Sequence, residues 1–247
     1  MRPLDGTGVR ADEALVADVV ASVDGYPYFP QLWRAELWDA SVAGGGRTLS
    51  PSVLSDKTTL ARGLVDRINA HRPGSAAYLP MDGFHLANST LDRLGLRDRK
   101  GAIETFDGWG FVALLDRLHT ETDHVVYAPS FECEVDEGVA GEIAIEPEAR
   151  VVVAEGNYLL VDREPWGRIR DRLEAAWFCA TPSQERERRL VDRHTRHGRT
   201  VEAASAWARD VDGANAILIE ASRHRADLIL SGVTGRPVAS TADEEPS

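Results

Sequence analysis

Ala76-Ala77-Tyr78-Leu79-Pro80-Met81-Asp82-Gly83-Phe84-His85 is the stretch from which the fold is read. Two small residues followed by Tyr78, Leu79 and Met81 predict a short buried strand, which Asp82-Gly83 breaks with a carboxylate at its carboxyl end. Open α/β sheets bind their ligands at that end of their strands. Asp82 therefore has two readings, a catalytic carboxylate or a turn former, because Asp-Gly is a common turn pair in its own right.

Working outward, Val151-Val152-Val153-Ala154-Glu155-Gly156 is a continuous apolar run that closes on an acid and a glycine. A parallel strand covered on both faces has this pattern, since neither face alternates to polar. An acid at the end of such a strand either meets a magnesium ion, directly or through water, or caps a turn. Ala175 to Ala180 predicts one more buried strand and Ala226 to Leu230 a last short one. Helical spacing covers Trp109 to Leu118, through Phe111, Leu114, Leu115 and Leu118, and a further helix is expected from Val201 to about Arg223. Leu86 to Leu96 suits a short helix or ordered loop. Val125 to Phe131 is a β-type run, and the Glu-rich segment after it, as far as Pro147, forms a hairpin or a surface loop. The fold class is α/β, a parallel sheet flanked by helices.

Asp56-Lys57-Thr58-Thr59-Leu60-Ala61, followed by Leu64, Val65 and Ile68, resembles the end of a phosphate-binding loop entering an amphipathic helix. Counting back through G-x-x-x-x-G-K-[ST], however, puts Pro51 and Asp56 where the two glycines belong. Glycine turns backbone N–H groups onto phosphate, whereas proline has no N–H and an aspartate repels phosphate oxygens. Further on, Thr181-Pro182-Ser183 caps a helix from about Gln184 that carries Arg186, Arg188, Arg189, Arg193 and Arg196, with Arg199 after Gly198. These arginines either clamp phosphate from a mobile lid or pair with Glu185, Glu187 and Asp192 on the same helix. Arg97, Arg99 and Lys100 concentrate positive charge beside Gly101 and ahead of Glu104-Thr105-Phe106-Asp107.

The totals narrow the classes. A net charge of −12 argues against a nucleic-acid binder held by a general basic surface. Cys133 and Cys179 lack metal-ligand spacing and read as thiols of a reducing cytoplasm. The sequence has neither an apolar run of membrane-spanning length nor a signal-peptide pattern, so the expectation is a cytoplasmic protein without a membrane partner.

In order along the chain, Lys-Thr-Thr, Met-Asp-Gly-Phe-His, Arg-Lys-Gly-Ala-x-Glu-Thr-Phe-Asp, Val-Val-Ala-Glu-Gly-Asn-Tyr-Leu-Leu, the arginine-rich helix and Arg-x-Arg-Ala-Asp-Leu-Ile resemble one family. It is the P-loop small-molecule kinases of the uridine kinase, phosphoribulokinase and bacterial pantothenate kinase group, with a branch labelled nucleoside/nucleotide kinase or fructose kinase. The resemblance runs from about residue 56 to 231. It implies a P-loop NTPase-type sheet with an arginine-rich helical lid, ATP and Mg²⁺ as cofactors, and phosphoryl transfer to a hydroxyl of a small metabolite. Carried over by position, Lys57, Thr58 and Thr59 fall in the nucleotide site and Thr58 and Glu155 at the metal. Asp82 is the base near the acceptor, and His85, Arg99, Lys100 and Glu155 lie towards the substrate. Arg193, Arg196 and Arg199 match the lid, Arg196 being the one assigned a catalytic part.

Residues 13 to 41, with Gly25-Tyr26-Pro27-Tyr28-Phe29, resemble a lid fragment of an AAA-type ATPase. The expected division is an N-terminal helical extension over 1–45, a kinase-like domain over 46–232 and a disordered tail over 233–247. The aromatics of residues 26 to 38 pack on the domain or on a second chain, which would make a homodimer. The altered loop leaves two alternatives to an active kinase: a non-catalytic relative or rearranged-gene product, and a regulatory nucleotide hydrolase.

Overall fold

Helix α1 (Lys57–His71) begins the described part of the molecule and lies against two parallel strands, β1 (Ala76–Pro80) and β4 (Val151–Glu155). The computed structural model describes residues 57–196, 200, 212–233, 235, 237 and 238. The expected extension over 1–45, the loop positions Pro51 and Asp56, Arg199 and the tail beyond Val238 lie outside the described residues.

The β1–β4 register runs from Ala76 opposite Val151 to Pro80 opposite Glu155. Because strand side chains alternate, this sorts the residues onto two faces. Ala76, Tyr78, Val151 and Val153 meet Val65 and Ile68 of α1, while Leu79, Val152 and Ala154 join the larger core on the other side. That core is built on α3 (Gly108–Thr120), whose start is capped by the Asp107 carboxylate accepting from Gly110 N at 2.8 Å. Phe111, Leu114 and Leu115 are buried, as their spacing predicts, while Trp109 turns outward under the guanidinium of Arg168.

The segment left open between hairpin and surface loop is a hairpin. Strand β2 (Val126–Glu132) pairs antiparallel with β3 (Glu137–Ile145), and the register shifts between Ala128 and Ser130, around Pro129, which has no N–H to give to the ladder. Strand β5 (Trp177–Ala180) pairs in parallel with β6 (Leu228–Ser231). Both start later than their apolar runs suggest. Asp227 N donates to Ala176 O at 2.7 Å, while Ala176 N donates to the Asp227 carboxylate at 2.7 Å, so a side chain takes the place of a ladder bond at the strand entrance.

Three further helices complete the described chain: α2 (Asn88–Leu94), closed by Gly95 in the left-handed conformation, α4 (Ser183–Arg196) and α5 (Asp212–Ala221). The part of the expected Val201 helix before Asp212 lies outside the described residues. Past β6, Val238 N donates to Ile229 O at 2.8 Å, so the segment expected as tail begins with a paired stretch.

Candidate active site

The parallel register brings the ends of β1 and β4 side by side, and α1 begins above them. Glu155, the last residue of β4, is 6% exposed and accepts three hydrogen bonds. Lys57 Nζ donates to its Oε2 at 2.5 Å, while Tyr78 OH and Thr58 Oγ1 donate to its Oε1 at 2.7 and 3.2 Å. Burial pushes the Glu155 carboxyl up, but the charge of Lys57 and the bonds from Lys57, Tyr78 and Thr58 outweigh it and hold the group below the ordinary carboxylate range. Burial pushes the Tyr78 phenol up, and the charge and hydrogen bond of Glu155 push it further, only partly offset by Arg62. Thr59, the third residue of α1, is half-buried.

Asp82 lies in the tight turn Met81–Phe84 that follows β1 directly and is half-buried. The turn reading and the ligand-end reading of Asp-Gly thus describe one place. The turn is pressed from two sides. A Cβ on Gly83 would overlap the Pro129 carbonyl of the hairpin, and one on Gly156 would overlap Met81. Only glycine permits either approach.

His85 closes the turn. Its Nδ1 lies 2.8 Å from Asp82 O, and since a carbonyl only accepts, Nδ1 carries the proton. The ring lies between Phe106 and Phe131, with centroids 4.0 and 4.7 Å away. Burial lowers the imidazole pKa against the raising effect of the Asp82 bond and charge. Lys100 lies over Phe131 at 5.1 Å and is tied to Asn88 Oδ1 at 2.7 Å and Asp136 Oδ2 at 3.0 Å. Asn88 N in turn donates to Glu137 at 3.0 Å. Arg99 stands apart from this group, exposed and paired with Glu104 at 2.6 Å.

On α4 the arginines divide. Arg188 and Arg189 both pair with Glu185, at 2.8 and 2.6 Å, which is the helix-surface reading, and Arg189 also donates to Gly232 O. Arg199 and the side chains of Arg193 and Arg196 lie outside the described residues.

The donors around Glu155 suit a magnesium ion. A threonine hydroxyl and one carboxylate are hard oxygen ligands, and Mg²⁺ takes one or two protein oxygens together with phosphate and water. Among the described residues no group of three or more His, Cys, Asp or Glu gathers as an all-protein metal cage. Among them, too, no helix is long and apolar enough to cross a membrane.

Several known proteins of similar shape and sequence carry kinase names. No family model matches the chain. The ATP-dependent kinase-like protein notR' of Aspergillus versicolor is 37% identical over 133 residues, 51% of this chain and 77% of that protein. A Schizosaccharomyces pombe protein provisionally named a uridine kinase is 32% identical over 184 residues, 71% of this chain and 78% of that protein. The chain belongs to the uridine kinase-like P-loop kinases. A crystal structure from Silicibacter sp. TM1040, provisionally described as a fructose transport system kinase, matches this chain with a TM-score of 0.66 at 38% identity. It covers 81% of this chain and 97% of that one. YFH7 of Saccharomyces cerevisiae, provisionally described as a P-loop containing kinase, is 24% identical with a TM-score of 0.55 and shares the fold.

Within this family member, sequence reasoning singled out Lys57, Thr58 and Glu155, and the fold brings the three into contact. It passed over Tyr78, which alternation marks only as a core residue of β1, and Asn88, Asp136 and Glu137, which look like ordinary loop polars. The one available signal for Tyr78 was its position two residues before Pro80, on the face of β1 that the parallel register shares with Glu155.

Proposed function

We propose that the chain transfers the γ-phosphoryl group of ATP to a hydroxyl of a small metabolite, a nucleoside, sugar or pantothenate-like compound, in the cytoplasm. The observation that carries this reading is the meeting of Lys57, Thr58 and Glu155 at the end of β4, with Asp82 in the turn that ends the neighbouring strand. The relatives' kinase names support it.

In this reading the Lys57 ammonium exchanges the Glu155 carboxylate for phosphate oxygens, a swap between two anions that keeps the lysine paired throughout. Thr58 and Glu155 would hold the magnesium ion, which when bound neutralises phosphate charge. Asp82 accepts the proton of the acceptor hydroxyl. His85 is fixed by Asp82 O, Phe106 and Phe131 and forms one wall of the acceptor side, with Lys100 beyond it. Arg193, Arg196 and Arg199 would supply charge from the lid.

Calorimetry with Mg²⁺ and ATP, followed by ATP consumption across a panel of nucleosides, sugars and pantothenate, tests the reading. Binding together with turnover that depends on one acceptor is the expected result. Turnover indifferent to every acceptor would make the chain a nucleotide hydrolase.

A second reading, a non-catalytic relative, draws on Pro51 and Asp56 standing in place of the loop glycines. It predicts no Mg-ATP binding at millimolar nucleotide. Under the kinase reading, Pro51→Gly with Asp56→Gly raises nucleotide affinity.

A further inference from the structure

Tyr78 and Glu155 share a face of the β1–β4 pair, because Tyr78 lies opposite Val153 and Pro80 opposite Glu155. The ring packs in the small core that α1 makes with these strands. Phenylalanine would serve that packing equally well, so the hydroxyl needs its own explanation. It donates to Glu155 Oε1 at 2.7 Å, and the guanidinium of Arg62 lies 4.7 Å over the ring.

The three donors to Glu155 have different fates once a nucleotide arrives. Lys57, on Oε2, is the donor that the phosphates attract away. Thr58 is at 3.2 Å, the longest of the three bonds. In the kinase reading Glu155, 6% exposed, would give up Lys57 as it takes part in holding the magnesium ion, and a buried carboxylate with a fixed donor keeps its orientation through that exchange. Tyr78 is the donor that nothing in the reaction calls away.

We infer that Tyr78 is a positioning residue for nucleotide binding: its hydroxyl keeps Glu155 oriented through Oε1 while Lys57 leaves Oε2 for the phosphates. Without that hydroxyl, Glu155 depends on Lys57 and holds it more tightly, so the phosphates must compete harder for the ammonium. The effect falls on nucleotide affinity and is transmitted wholly through Glu155. This inference rests on the kinase reading above.

The test is a double-mutant cycle on the full chain, with Mg-ATP binding measured by calorimetry for the wild type, Y78F, E155Q and Y78F/E155Q, and thermal melting recorded for each. The expected result is about threefold weaker Mg-ATP binding in Y78F, a fraction of one hydrogen bond to a charged group because the bond is present with and without nucleotide. In the E155Q background, removing the hydroxyl produces no further weakening, because no carboxylate remains to be oriented. Wild-type affinity in Y78F, or equal weakening in both backgrounds, overturns the inference and leaves the kinase reading standing. Loss of the folded state in Y78F assigns the phenol a structural part and also overturns it. A wild type that binds no Mg-ATP overturns the kinase reading and this inference together.

Discussion

The ammonium of Lys57 lies 2.5 Å from Oε2 of Glu155, an ion pair closed across 98 positions of sequence between the first turn of α1 and the end of β4. Its carboxylate side is nearly sealed, at 6% exposure, while its ammonium side keeps 30%. The pair is therefore asymmetric. Removing the lysine strands a buried charge, whereas removing the carboxylate leaves a lysine that still reaches water.

Lys57→Met is accordingly expected to destabilise the fold by about 1–3 kcal/mol, the range for a buried charge that loses one of several partners. Glu155→Gln is expected to cost less, and urea midpoints of the two variants measure the difference. Acid dependence follows from the depressed Glu155 pKa. The unfolded chain takes up the proton near the ordinary value of 4.5 and the folded chain only at lower pH, so this stabilisation is present above 4.5 and is lost as pH falls through the folded value. Lys57→Met shrinks that acid-sensitive part.

Gly83→Ala tests the seat of the hairpin. A Cβ there would overlap the backbone of Pro129, with the carbonyl carbon at 2.6 Å, and backbone cannot swing aside as a side chain can. The expected loss is about 1–3 kcal/mol or more, in the range of overpacking. Gly101→Ala is the control. Gly101 has φ +100° but meets nothing within 4 Å, so its smaller cost is conformational alone. Equal melting temperatures for the two variants would refute the close-approach argument.

Much of this architecture was legible in the chain because it is locally written. Val151–Ala154 could only be a strand covered on both faces, and Phe111, Leu114 and Leu115 could only be one side of a helix. The strand starts at Trp177 and Leu228 were not legible, because Asp227 sets both by bonding Ala176 across 51 positions. Of the site, Lys57, Thr58 and Glu155 stood out through their places in motifs. Tyr78 did not, since a tyrosine in an apolar strand reads as packing until the register of the partner strand is known. The hairpin was ambiguous because β3 is mostly exposed and is interrupted by Gly138 and Gly141, so its apolar residues do not alternate regularly with polar ones.

His85 gives the fold a pH response of its own. Burial lowers its pKa, so on acidification the unfolded chain takes up the proton first, near the ordinary value of 6.5. The stability it contributes is complete above 6.5 and is lost as pH falls towards the folded value, with a slope of up to about 1.4 kcal/mol per pH unit. His124, raised by the hydrogen bond that its Nδ1 gives to the Asp123 carboxylate, works in the opposite sense, so the two must be separated by substitution. In His85→Gln, the drop in denaturation free energy between pH 7 and pH 5 is expected to be smaller than in the wild type. An unchanged drop would place the imidazole in contact with water.

Asp82→Asn separates chemistry from binding. The carboxylate lies in the turn after β1, whereas the groups assigned to the nucleotide gather on Glu155 at the end of the next strand. Asparagine keeps the size and the turn-forming ability of aspartate but cannot take a proton from the acceptor. Turnover is expected to fall by about 10²–10⁴-fold, the usual worth of a general base, with Mg-ATP affinity held within about twofold. The pair of measurements decides between roles. If turnover falls only in proportion to affinity, Asp82 acts on the nucleotide or on the fold of the turn; if acceptor-dependent turnover survives intact, the proton leaves by another route and Asp82-Gly83 is a turn and nothing more.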